Sequence, residues 1–465
     1  MIPKNQKPHP RKTSYGRMLS IAAAIVCMAF LSPPRPSLAC TDFMLPHIGS
    51  DFKPCPQCEF FYADVSARTM DFGINLDYYL QRVNGGTKMA SYAAAVGRPV
   101  EWTTRIPFVG ISASPMMVLD VNPGEYFEGM NAQGLSAGLL WLERTLKDGS
   151  SYPDPVADGA RNLSIRYVVS YVLGQFGTVE EAIADLSRPD GPVVFRHDLM
   201  ALWWPIDLPL HLVLHDAAGD TAIVEWYDRQ IHIHKHQVGG VNPDPNDIRA
   251  MTNDPAFPEQ AATLDEVGFK GLTKFNHFKS APDAATHDWD HFLPGDSSSG
   301  SRFIRVSKLL HAADEVYKPR SFATYPKIWR VLQANRIMAR AEVISGEYPE
   351  ELSGWPLQFH TIFTVIRDHT NRNLYFRGVY NPTLKKLDLM KLFSDSSKAN
   401  NFFIQPVDPS PDDRGYKLIQ YQDAIEFFQS NSKAAMRRTF KKKAVIPEER
   451  GFYLESISAP RATGR

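Results

Sequence analysis

The sequence predicts a layered α+β fold. Apolar runs of strand length occur in pairs towards both ends of the chain, and the clearest helical patterns lie between them. Strand and helix do not alternate regularly, as they would in repeated βαβ units, and no internal repeat is visible. With 43% apolar and 22% charged residues, the 465-residue chain has the composition of a soluble globular protein with one large domain or two ordinary ones.

The first half of the chain begins with strands. Residues 60–66 predict a strand that runs into a polar turn at 67–72, and 117–121 predicts another. A turn at 131–134 precedes an apolar strand at 135–142.

Two helices follow. Apolar residues at helical spacing predict the first over 164–176. The second begins after Thr178, because Thr178 and Glu181 have the spacing of a capping box.

The second half contains, in order, a hairpin, a further strand, two helices and a late hairpin. These elements are 211–215 with 222–226, 231–236, 301–312, 325–341, and 361–367 with 373–380.

Beyond about residue 396 the composition changes. A proline-rich linker, one amphipathic helix at 421–430 and a basic run at 437–443 indicate a solvated tail or interaction segment. We therefore divide the chain into a leader at 1–39, a domain at 40–395 and a linker with a basic tail at 396–465.

The first 39 residues have the pattern of a cleaved export signal. They carry six basic groups and no acidic one, and their apolar stretch, Met18 to Leu31, is too short to span a bilayer. Cleavage after Ala39 leaves 45 basic and 51 acidic residues, a mild negative charge that does not favour nucleic acid. No second long apolar run indicates a membrane span. We expect a periplasmic or secreted protein.

Cleavage after Ala39 also makes Cys40 the first residue of the mature chain. An N-terminal cysteine joins a thiol nucleophile to an α-amine that can act as its base. Two other interpretations stay open, an incidental cysteine and a lipoprotein cysteine that is acylated after cleavage. The lipoprotein pathway usually requires Leu three residues before the cysteine, where this chain has Ser37.

The only other cysteines of the mature chain are Cys55 and Cys58. Their CPQC spacing fits a redox pair, half a zinc site or a local disulfide. An oxidising compartment favours the disulfide, which would leave Cys40 as the odd thiol.

Four short segments accompany Cys40 along the chain. They are Arg68-Thr69-Met70-Asp71-Phe72, Glu128 to Leu135, Met251 to Phe257, and Gly295-Asp296 followed by Ser301 to Val306. Together with an N-terminal cysteine, they resemble the choloylglycine hydrolase family of bile salt hydrolases and penicillin V acylases, which are N-terminal nucleophile hydrolases. The resemblance covers roughly residues 40–395.

The resemblance implies an αββα sandwich, in which two antiparallel sheets lie between helical layers. It also implies a small-molecule N-acyl amide substrate, and we expect neither a metal nor a cofactor. Relatives often form homo-oligomers, but no assembly element is evident in the sequence, so the oligomeric state stays open.

Carried over residue by residue, the resemblance gives five catalytic candidates. Cys40 would be the nucleophile, and Arg68 would lower the pKa of its thiol. Asp71 would hold and orient the α-ammonium, and Asn253 would donate its side-chain N–H to the developing oxyanion. Arg302 would lie near the nucleophile and help to fix the charges.

The chain departs from the family pattern in two places. Trp141 stands where relatives place Asn or Tyr beside the oxyanion, and its indole can donate but not accept a hydrogen bond. This residue resembles the Gram-negative acylases and favours bulky hydrophobic acyl groups, with Phe72, Met116 and Met117 as further apolar walls or simply core residues. The longer interval from Cys40 to Arg68 holds the CPQC pair.

Two further patterns point to other chemistry. The segment 134–138 matches the G-x-S-x-G elbow of serine hydrolases, but a turn precedes Ser136 and a strand follows it, whereas the elbow requires a strand and then a helix. His232, His234 and His236 share one face of a strand, either as a metal ladder or as part of an exposed edge strand.

The sequence therefore predicts an exported hydrolase that cleaves a linear N-acyl amide through Cys40 and a thioester acyl-enzyme. The resemblance at Trp141 favours penicillin V and N-acyl homoserine lactones as substrates, with bile salts as an alternative. A second alternative is a lipid-anchored or inactive binding protein whose Cys40 is a maturation site.

Overall fold

A computed structural model describes most of residues 40–465. The described residues are 40–45, 63–72, 78–113, 124–143, 152–159, 161–201, 204–206, 208–236, 249–266, 294–315, 329–344, 348–352, 355–378, 382, 384–394 and 402–406. They all belong to one compact unit, Ser37–Arg465.

One antiparallel sheet carries the strand that follows Cys40. Its strands, in spatial order, are β16 (Ala250–Thr252), β1 (Thr41–Leu45), β2 (Val65–Phe72), β18 (Trp355–Asp368), β19 (Asn373–Gly378) and β20 (Lys385–Asp388), and β17 (Tyr348–Leu352) also pairs with β18. This seven-stranded sheet therefore joins segments from both ends of the described chain.

A second antiparallel sheet has eight strands. In spatial order they are β15 (Gln230–His236), β14 (Thr221–Tyr227), β13 (Leu210–His215), β8 (Ser136–Trp141), β7 (Glu128–Asn131), β6 (Phe108–Ala113), β3 (Tyr78–Val83) and β21 (Phe402–Pro406). The edge strand β21 comes from the segment that we assigned to the tail, and the domain boundaries themselves stay predictions.

Three small ribbons complete the described strands. They are β4 (Lys88–Ala90) with β5 (Glu101–Thr103), β9 (Asn162–Ser164) with β10 (Val193–Phe195), and β11 (Leu199–Ala201) with β12 (Trp204–Ile206).

Helices cover the outer face of each large sheet. Following a 3₁₀ turn at Ile165–Tyr167, they are α1 (Val168–Gln175), α2 (Val179–Ser187), α3 (Phe257–Glu266), α4 (Ser299–Glu315), α5 (Trp329–Met338) and α6 (Leu389–Ser394). Helix α1 packs on β7 and β8, whereas α4 contacts β1 and β16, and α5 contacts β2 and β18. No helix in the described ranges is long and apolar enough to cross a membrane.

The two sheets pack face to face. Tyr78 of β3 meets Phe363 of β18 edge-on, with ring centroids 5.0 Å apart. His215 Nε2 of β13 lies 3.0 Å from Asp42 Oδ1 of β1. With helices outside both sheets, the architecture is the predicted αββα sandwich.

Most predicted elements are confirmed. The turn at 131–134 and the strand after it are present, as are the two hairpins and the helices at 164–176, 301–312 and 325–341, the last described from Trp329 onward. Thr178 caps the helix as predicted, because its Oγ1 accepts from the Glu181 nitrogen at 3.2 Å. Glu181 Oε2 accepts in return from the Gly177 nitrogen at 2.8 Å, one residue before the cap.

The polar turn predicted at 67–72 is wrong, because these residues continue strand β2 to Phe72. Ser66 to Asp71 are buried although they include polar and charged groups. Both faces of this strand are covered, and its polar side chains find buried partners, so their polarity does not mark a turn. The predicted elements at 117–121 and 421–430 lie outside the described residues.

The two competing motifs also have defined surroundings. Ser136 is buried at the start of β8, after the turn, so the strand-turn-helix context of a nucleophile elbow is missing there, as predicted. The histidine strand β15 is the edge of its sheet. His232 stacks on Tyr227, and His234 Nε2 lies 3.7 Å from Glu225 Oε2. Within the described ranges, no three His, Cys, Asp or Glu residues form a group that could hold a metal ion.

Candidate active site

Cys40 lies buried immediately before β1, between two neighbouring strands that carry other candidate residues. Strand β1 pairs on one side with β16, which leads to Asn253, and on the other with β2, which carries Arg68 and Asp71. The Cys40 Sγ lies 3.9 Å from Arg68 Nη2, 3.8 Å from the Asp71 carbonyl oxygen and 4.0 Å from Met70 Sδ. Strand pairing therefore brings the thiol against the Arg-x-x-Asp motif.

Arg68 extends from the seven-stranded sheet to the facing sheet. Its Nη1 donates to the carbonyl oxygen of Phe127 at 2.6 Å and to Glu128 Oε2 at 3.2 Å. Its Nη2, the nitrogen near the thiol, also donates to the carbonyl oxygen of Leu139. The guanidinium is fully buried, so its charge acts on Cys40 with little screening by solvent.

Asp71 is held by two threonine hydroxyls and one guanidinium. Thr361 Oγ1 donates to Oδ1 at 2.5 Å, and Thr69 Oγ1 donates to Oδ2 at 3.0 Å. Arg302 Nη1 lies 3.6 Å from Oδ2. Burial raises the pKa of Asp71 to about 7, although Arg302 and the two hydroxyls lower it.

Arg302 links helix α4 to the backbone at Cys40. Its Nη1 donates to the Cys40 carbonyl oxygen at 2.8 Å and also to Thr41 Oγ1. Its Nε donates to the Ser297 carbonyl oxygen at 2.9 Å, which fixes the guanidinium at the start of the helix. Arg302 therefore lies beside the backbone of Cys40.

Asn253 faces the nitrogen of Cys40. The Cys40 N–H donates to Asn253 Oδ1 at 3.0 Å. The Asn253 Nδ2 is buried and has no hydrogen-bond partner among the described residues. The amide that bonds the Cys40 nitrogen therefore has a second end, its Nδ2, that can still donate a hydrogen bond.

The turn that carries Asn253 is held by Gln260 of helix α3. Gln260 Nε2 donates to the carbonyl oxygens of Asn253 and Pro255, both at 2.6 Å, and to that of Thr252 at 3.1 Å. Its Oε1 accepts from the Thr252 nitrogen at 3.1 Å. One buried side chain thus fixes the turn on both sides of Asn253.

Opposing effects act on the thiol itself. Burial raises the pKa of the Cys40 thiol above its ordinary value, and the charge of Arg68 opposes this rise most strongly. Asp71 raises the thiol pKa further through its negative charge, and Arg302 lowers it. The positions of the two arginines therefore govern how readily the thiolate forms.

The apolar candidates are only partly described. Phe72 and Trp141 are the last residues of β2 and β8, and each is half-buried where the rest of its strand is buried. Phe72 directly follows Asp71, whose carbonyl oxygen contacts the thiol, and Trp141 stands two residues beyond Leu139, whose carbonyl oxygen binds Arg68. Met116, Met117, Cys55 and Cys58 lie outside the described residues.

The structure also brings in residues to which the sequence assigned no role. Thr69 lies inside the quoted Arg-x-x-Asp segment, and Glu128 opens another quoted segment. The sequence therefore marked both positions without indicating their contacts. Thr361 and Gln260 reach the site from strand β18 and helix α3. Their contacts depend on strand pairing and helix packing, for which no local motif exists.

Taken together, the described residues place a thiol, two guanidinium groups, a carboxyl group and an unsatisfied amide N–H within one buried cluster. Such a set can stabilise a thiolate and an oxyanion, which are the charges that develop in acyl transfer.

Comparison with known proteins agrees with this architecture. Two solved structures, a penicillin V acylase from Agrobacterium tumefaciens and a conjugated bile acid hydrolase from Clostridium perfringens, each align with a TM-score of 0.56. Their identities to this chain are 23% and 18%, and the alignments cover 78% and 79% of this chain and 90% and 96% of theirs. The chain therefore has the N-terminal nucleophile hydrolase fold.

Sequence comparison assigns the family. Residues 61–401 match the choloylglycine hydrolase family of linear amide C–N hydrolases, and the chain belongs to this family. A penicillin V acylase from Pectobacterium atrosepticum is 25% identical over 396 residues, which cover 81% of this chain and 88% of the relative. A bile salt hydrolase/transferase from Clostridium perfringens is 26% identical over 220 residues, covering 46% and 58% of the two chains. The protein is a hydrolase of linear amide C–N bonds.

Proposed function

We propose that this protein is an exported acylase that uses Cys40, at the N-terminus of the mature chain, as its nucleophile. The observation that carries the proposal is the contact set of Cys40. Its thiol lies 3.9 Å from Arg68 Nη2, and its backbone nitrogen bonds the Asn253 side chain. These contacts are those that an acyl-transfer nucleophile and its adjacent base require.

In the proposed reaction, the α-amine of mature Cys40 accepts the thiol proton. An α-amine has an ordinary pKa of about 7.7–8.0, which suits a general base near neutral pH. The thiolate attacks the amide carbonyl carbon, and the oxyanion that forms accepts a hydrogen bond from Asn253 Nδ2. Collapse of this intermediate breaks the C–N bond, and the ammonium of Cys40 returns the proton to the leaving amine.

The remaining acyl group is a thioester on Cys40. Water attacks it after losing a proton to the α-amine, which releases the carboxylic acid and restores the thiol. Arg302 Nη1 bonds the Cys40 carbonyl oxygen and lies 3.6 Å from Asp71 Oδ2. In this proposal Arg302 holds the carbonyl group of Cys40 and Asp71 orients its amine.

The acyl side of the substrate is proposed to be bulky and apolar. Phe72 and Trp141, which are half-buried beside the site, would supply its walls, and a penicillin V acylase is similar over 88% of its own length. Penicillin V and N-acyl homoserine lactones are therefore the first substrates to test. Bile salt conjugates are the alternative, because a bile salt hydrolase/transferase is also similar.

Export to the periplasm or beyond the cell is part of the proposal and rests on the leader pattern at 1–39. A homo-oligomer, which the family resemblance implies, is also part of the proposal. Light scattering on the purified protein would measure its oligomeric state. The rival proposal is a lipid-anchored or inactive binding protein, in which Cys40 serves maturation alone.

The deciding experiment measures release of a primary amine from penicillin V, a long-chain N-acyl homoserine lactone and glycocholate by the mature protein. Cys40→Ser is the matched control, because it changes one atom of the nucleophile. Turnover of one substrate that disappears in Cys40→Ser supports the acylase and identifies its acyl preference. Turnover that persists in Cys40→Ser contradicts it, and a lipid on Cys40 in the intact mass supports the binding protein.

A further inference from the structure

Glu128 is a buried carboxylate that the reaction proposed above does not use. It lies on β7 in the eight-stranded sheet and is completely shielded from solvent. Its Oε2 accepts from Arg68 Nη1 at 3.2 Å, and its two oxygens accept from Arg367 Nε and Nη2, both at 2.6 Å. One carboxylate of this sheet therefore binds two guanidinium groups that come from the facing sheet.

The position of Arg68 depends on these acceptors. Arg68 starts on β2, close to Cys40, but its guanidinium donates to Glu128 and Leu139 in the eight-stranded sheet and to Phe127, which immediately precedes β7. Phe127 and Leu139 offer neutral carbonyl oxygens, whereas Glu128 offers a negative charge, whose attraction to the guanidinium is little screened in a buried site. Glu128 is thus the anionic acceptor among these three contacts.

Arg367 fixes Glu128 in turn. It donates to Asp42 Oδ1 and Oδ2 at 3.2 and 2.9 Å and to Ser66 Oγ at 2.8 Å, as well as to both oxygens of Glu128. The planar Arg367 guanidinium bonds a carboxylate at each of two edges, so the Glu128 carboxylate is held in the plane of the guanidinium. The cluster therefore holds two positive side chains, Arg68 and Arg367, and two negative ones, Asp42 and Glu128, so its formal charges cancel.

The backbone of β8 leaves room for the cluster. A Cβ atom on Gly138 would lie 2.8 Å from Glu128 Oε2 and 3.4 Å from Arg68 Cδ. The final glycine of the segment that matches the serine-hydrolase elbow therefore serves the thiol site, by letting the carboxylate and guanidinium approach the strand.

We propose that Glu128, anchored by Arg367, is a positioning residue that holds the Arg68 guanidinium against the Cys40 thiol. This inference rests on the proposed function only in taking Cys40 as the nucleophile. The competing explanation is that Glu128 merely joins the two sheets and affects stability alone.

The direction in which the Cys40 thiol pKa shifts when Glu128 is removed separates the two explanations. Removal of a carboxylate near a thiol lowers the thiol pKa if nothing else moves, because the thiolate loses a repulsive neighbour. Displacement of Arg68 has the opposite effect, because the thiolate loses its nearest cation. A raised thiol pKa after removal of Glu128 therefore reports a displaced guanidinium.

The test measures the rate of Cys40 alkylation by iodoacetamide against pH in the mature protein and in its Glu128→Ala variant. We expect Glu128→Ala to raise the thiol pKa by about half a unit or more. With whichever of the three test amides the parent cleaves, kcat of Glu128→Ala should fall about tenfold or more while KM changes less than about threefold. Glu128→Gln should shift both in the same direction, since its amide offers one acceptor oxygen to two guanidinium groups.

Glu125→Ala is the matched control. Glu125 binds Arg166 at 2.8 Å, and the two side chains are only 3% and 2% exposed, so this variant also breaks a buried ion pair. It should lose stability without a change in the thiol pKa or kcat. A thiol pKa that is unchanged or lower in folded Glu128→Ala overturns the inference, as does an equal rise in Glu125→Ala.

If Glu128→Ala does not fold, Glu128→Gln decides by the same criterion. Alkylation needs no substrate, so the comparison holds even if the parent cleaves none of the three amides. That result would count against the proposed acylase and leave the role of Glu128 to be decided by the alkylation rates.

Discussion

The backbone nitrogen of Cys40 donates to the Asn253 side-chain oxygen at 3.0 Å, across 213 residues of sequence. In the structure this nitrogen is an N–H donor, so the amide presents Oδ1 to it. Asn253 Nδ2, the other end of the amide, has no partner among the described residues. A buried donor of this kind is costly unless a ligand supplies the acceptor, which an oxyanion would do.

Replacement of Asn253 by Asp tests this donor. Asn253→Asp keeps an acceptor for the Cys40 nitrogen and removes the N–H group. We expect kcat to fall about 10²–10³-fold with little change in KM, because the lost contact forms mainly in the transition state. Steady-state kinetics on whichever of the three test amides the parent cleaves would measure both constants.

Asn162→Asp provides the control for that substitution. Asn162 is equally buried, and its Nδ2 donates to the carbonyl oxygens of Val96 and Val156, both at 2.8 Å. It should lose stability and keep its kcat. A folded Asn253→Asp protein with the kcat of the parent would exclude Asn253 as the oxyanion donor.

Asp71 predicts a pH-dependent stability. Burial raises the pKa of Asp71 to about 7 in the folded protein, from an ordinary value of 3.8. Between these values the folded state binds a proton that the unfolded state has lost, so stability falls as pH rises through this window. Relative to Asp71→Asn, the parent should lose on the order of 1 kcal/mol per pH unit between about pH 4 and 7. Denaturant unfolding at several pH values measures the difference.

Glu225→Gln is the control for this slope. Burial alone would raise the pKa of Glu225, but the hydrogen bond with His211 at 3.1 Å and the nearby His234 lower it to about 2. This carboxyl is therefore ionised in both states above about pH 5, so its own titration adds no slope to the difference between Glu225→Gln and the parent from pH 5 to 7. A flat difference for Asp71→Asn as well would show that Asp71 is ionised throughout.

The sequence predicts the local elements of this fold better than it predicts the site. The hairpins and the capped helix follow from short-range periodicity and turn chemistry, and they are confirmed. The continuation of β2 through Asp71 was missed, because buried polar groups resemble a turn until their partners are known. Those partners are distant, as Thr361 shows: it bonds Asp71 across 290 residues.

The site residues depended on resemblance for the same reason. Arg68 and Asp71 form a short motif, but alone they would indicate a surface ion pair. Glu128 opens one of the quoted segments, but its pairing with Arg367, 239 residues away, had no signal that a single sequence could provide. Only strand pairing and the packing of the two sheets make them neighbours.

Gly138 predicts a steric effect on the same cluster. A Cβ at this position would lie 2.8 Å from Glu128 Oε2, closer than real Cβ contacts allow, so Gly138→Ala must displace the carboxylate or the strand. We expect a loss of stability of about 1–3 kcal/mol and a fall in kcat. Thermal unfolding and kinetics would test both.

Gly300→Ala is the matched control, because a Cβ there meets nothing within 4 Å. Gly300 lies in helix α4, where alanine is favoured over glycine by about 0.5–1 kcal/mol. It should be as stable as the parent or more so, with the same kcat. Parent-like activity and stability in Gly138→Ala would show that the cluster tolerates the added methyl group.

Trp141 is expected to contribute to the preference for bulky apolar acyl groups. It ends β8 two residues beyond Leu139, whose carbonyl oxygen binds Arg68, and it is half-buried where the preceding residues are buried. If its indole packs on the acyl group, Trp141→Ala should raise KM for a bulky apolar substrate by about tenfold or more. Loss of a buried aromatic contact costs about 1.5–3 kcal/mol. kcat should change much less, since this packing is present in the ground state as well as the transition state.

The control is Trp329→Ala, which removes a half-buried tryptophan from helix α5, on the outer side of the seven-stranded sheet. It should cost stability and leave KM unchanged, so a rise in KM that is confined to Trp141→Ala reports contact with the acyl group. The rise should also shrink as the acyl chain is shortened, because a smaller group buries less apolar surface on the indole. Equal effects on short and long acyl chains would instead mean that Trp141 supports the site without touching the substrate.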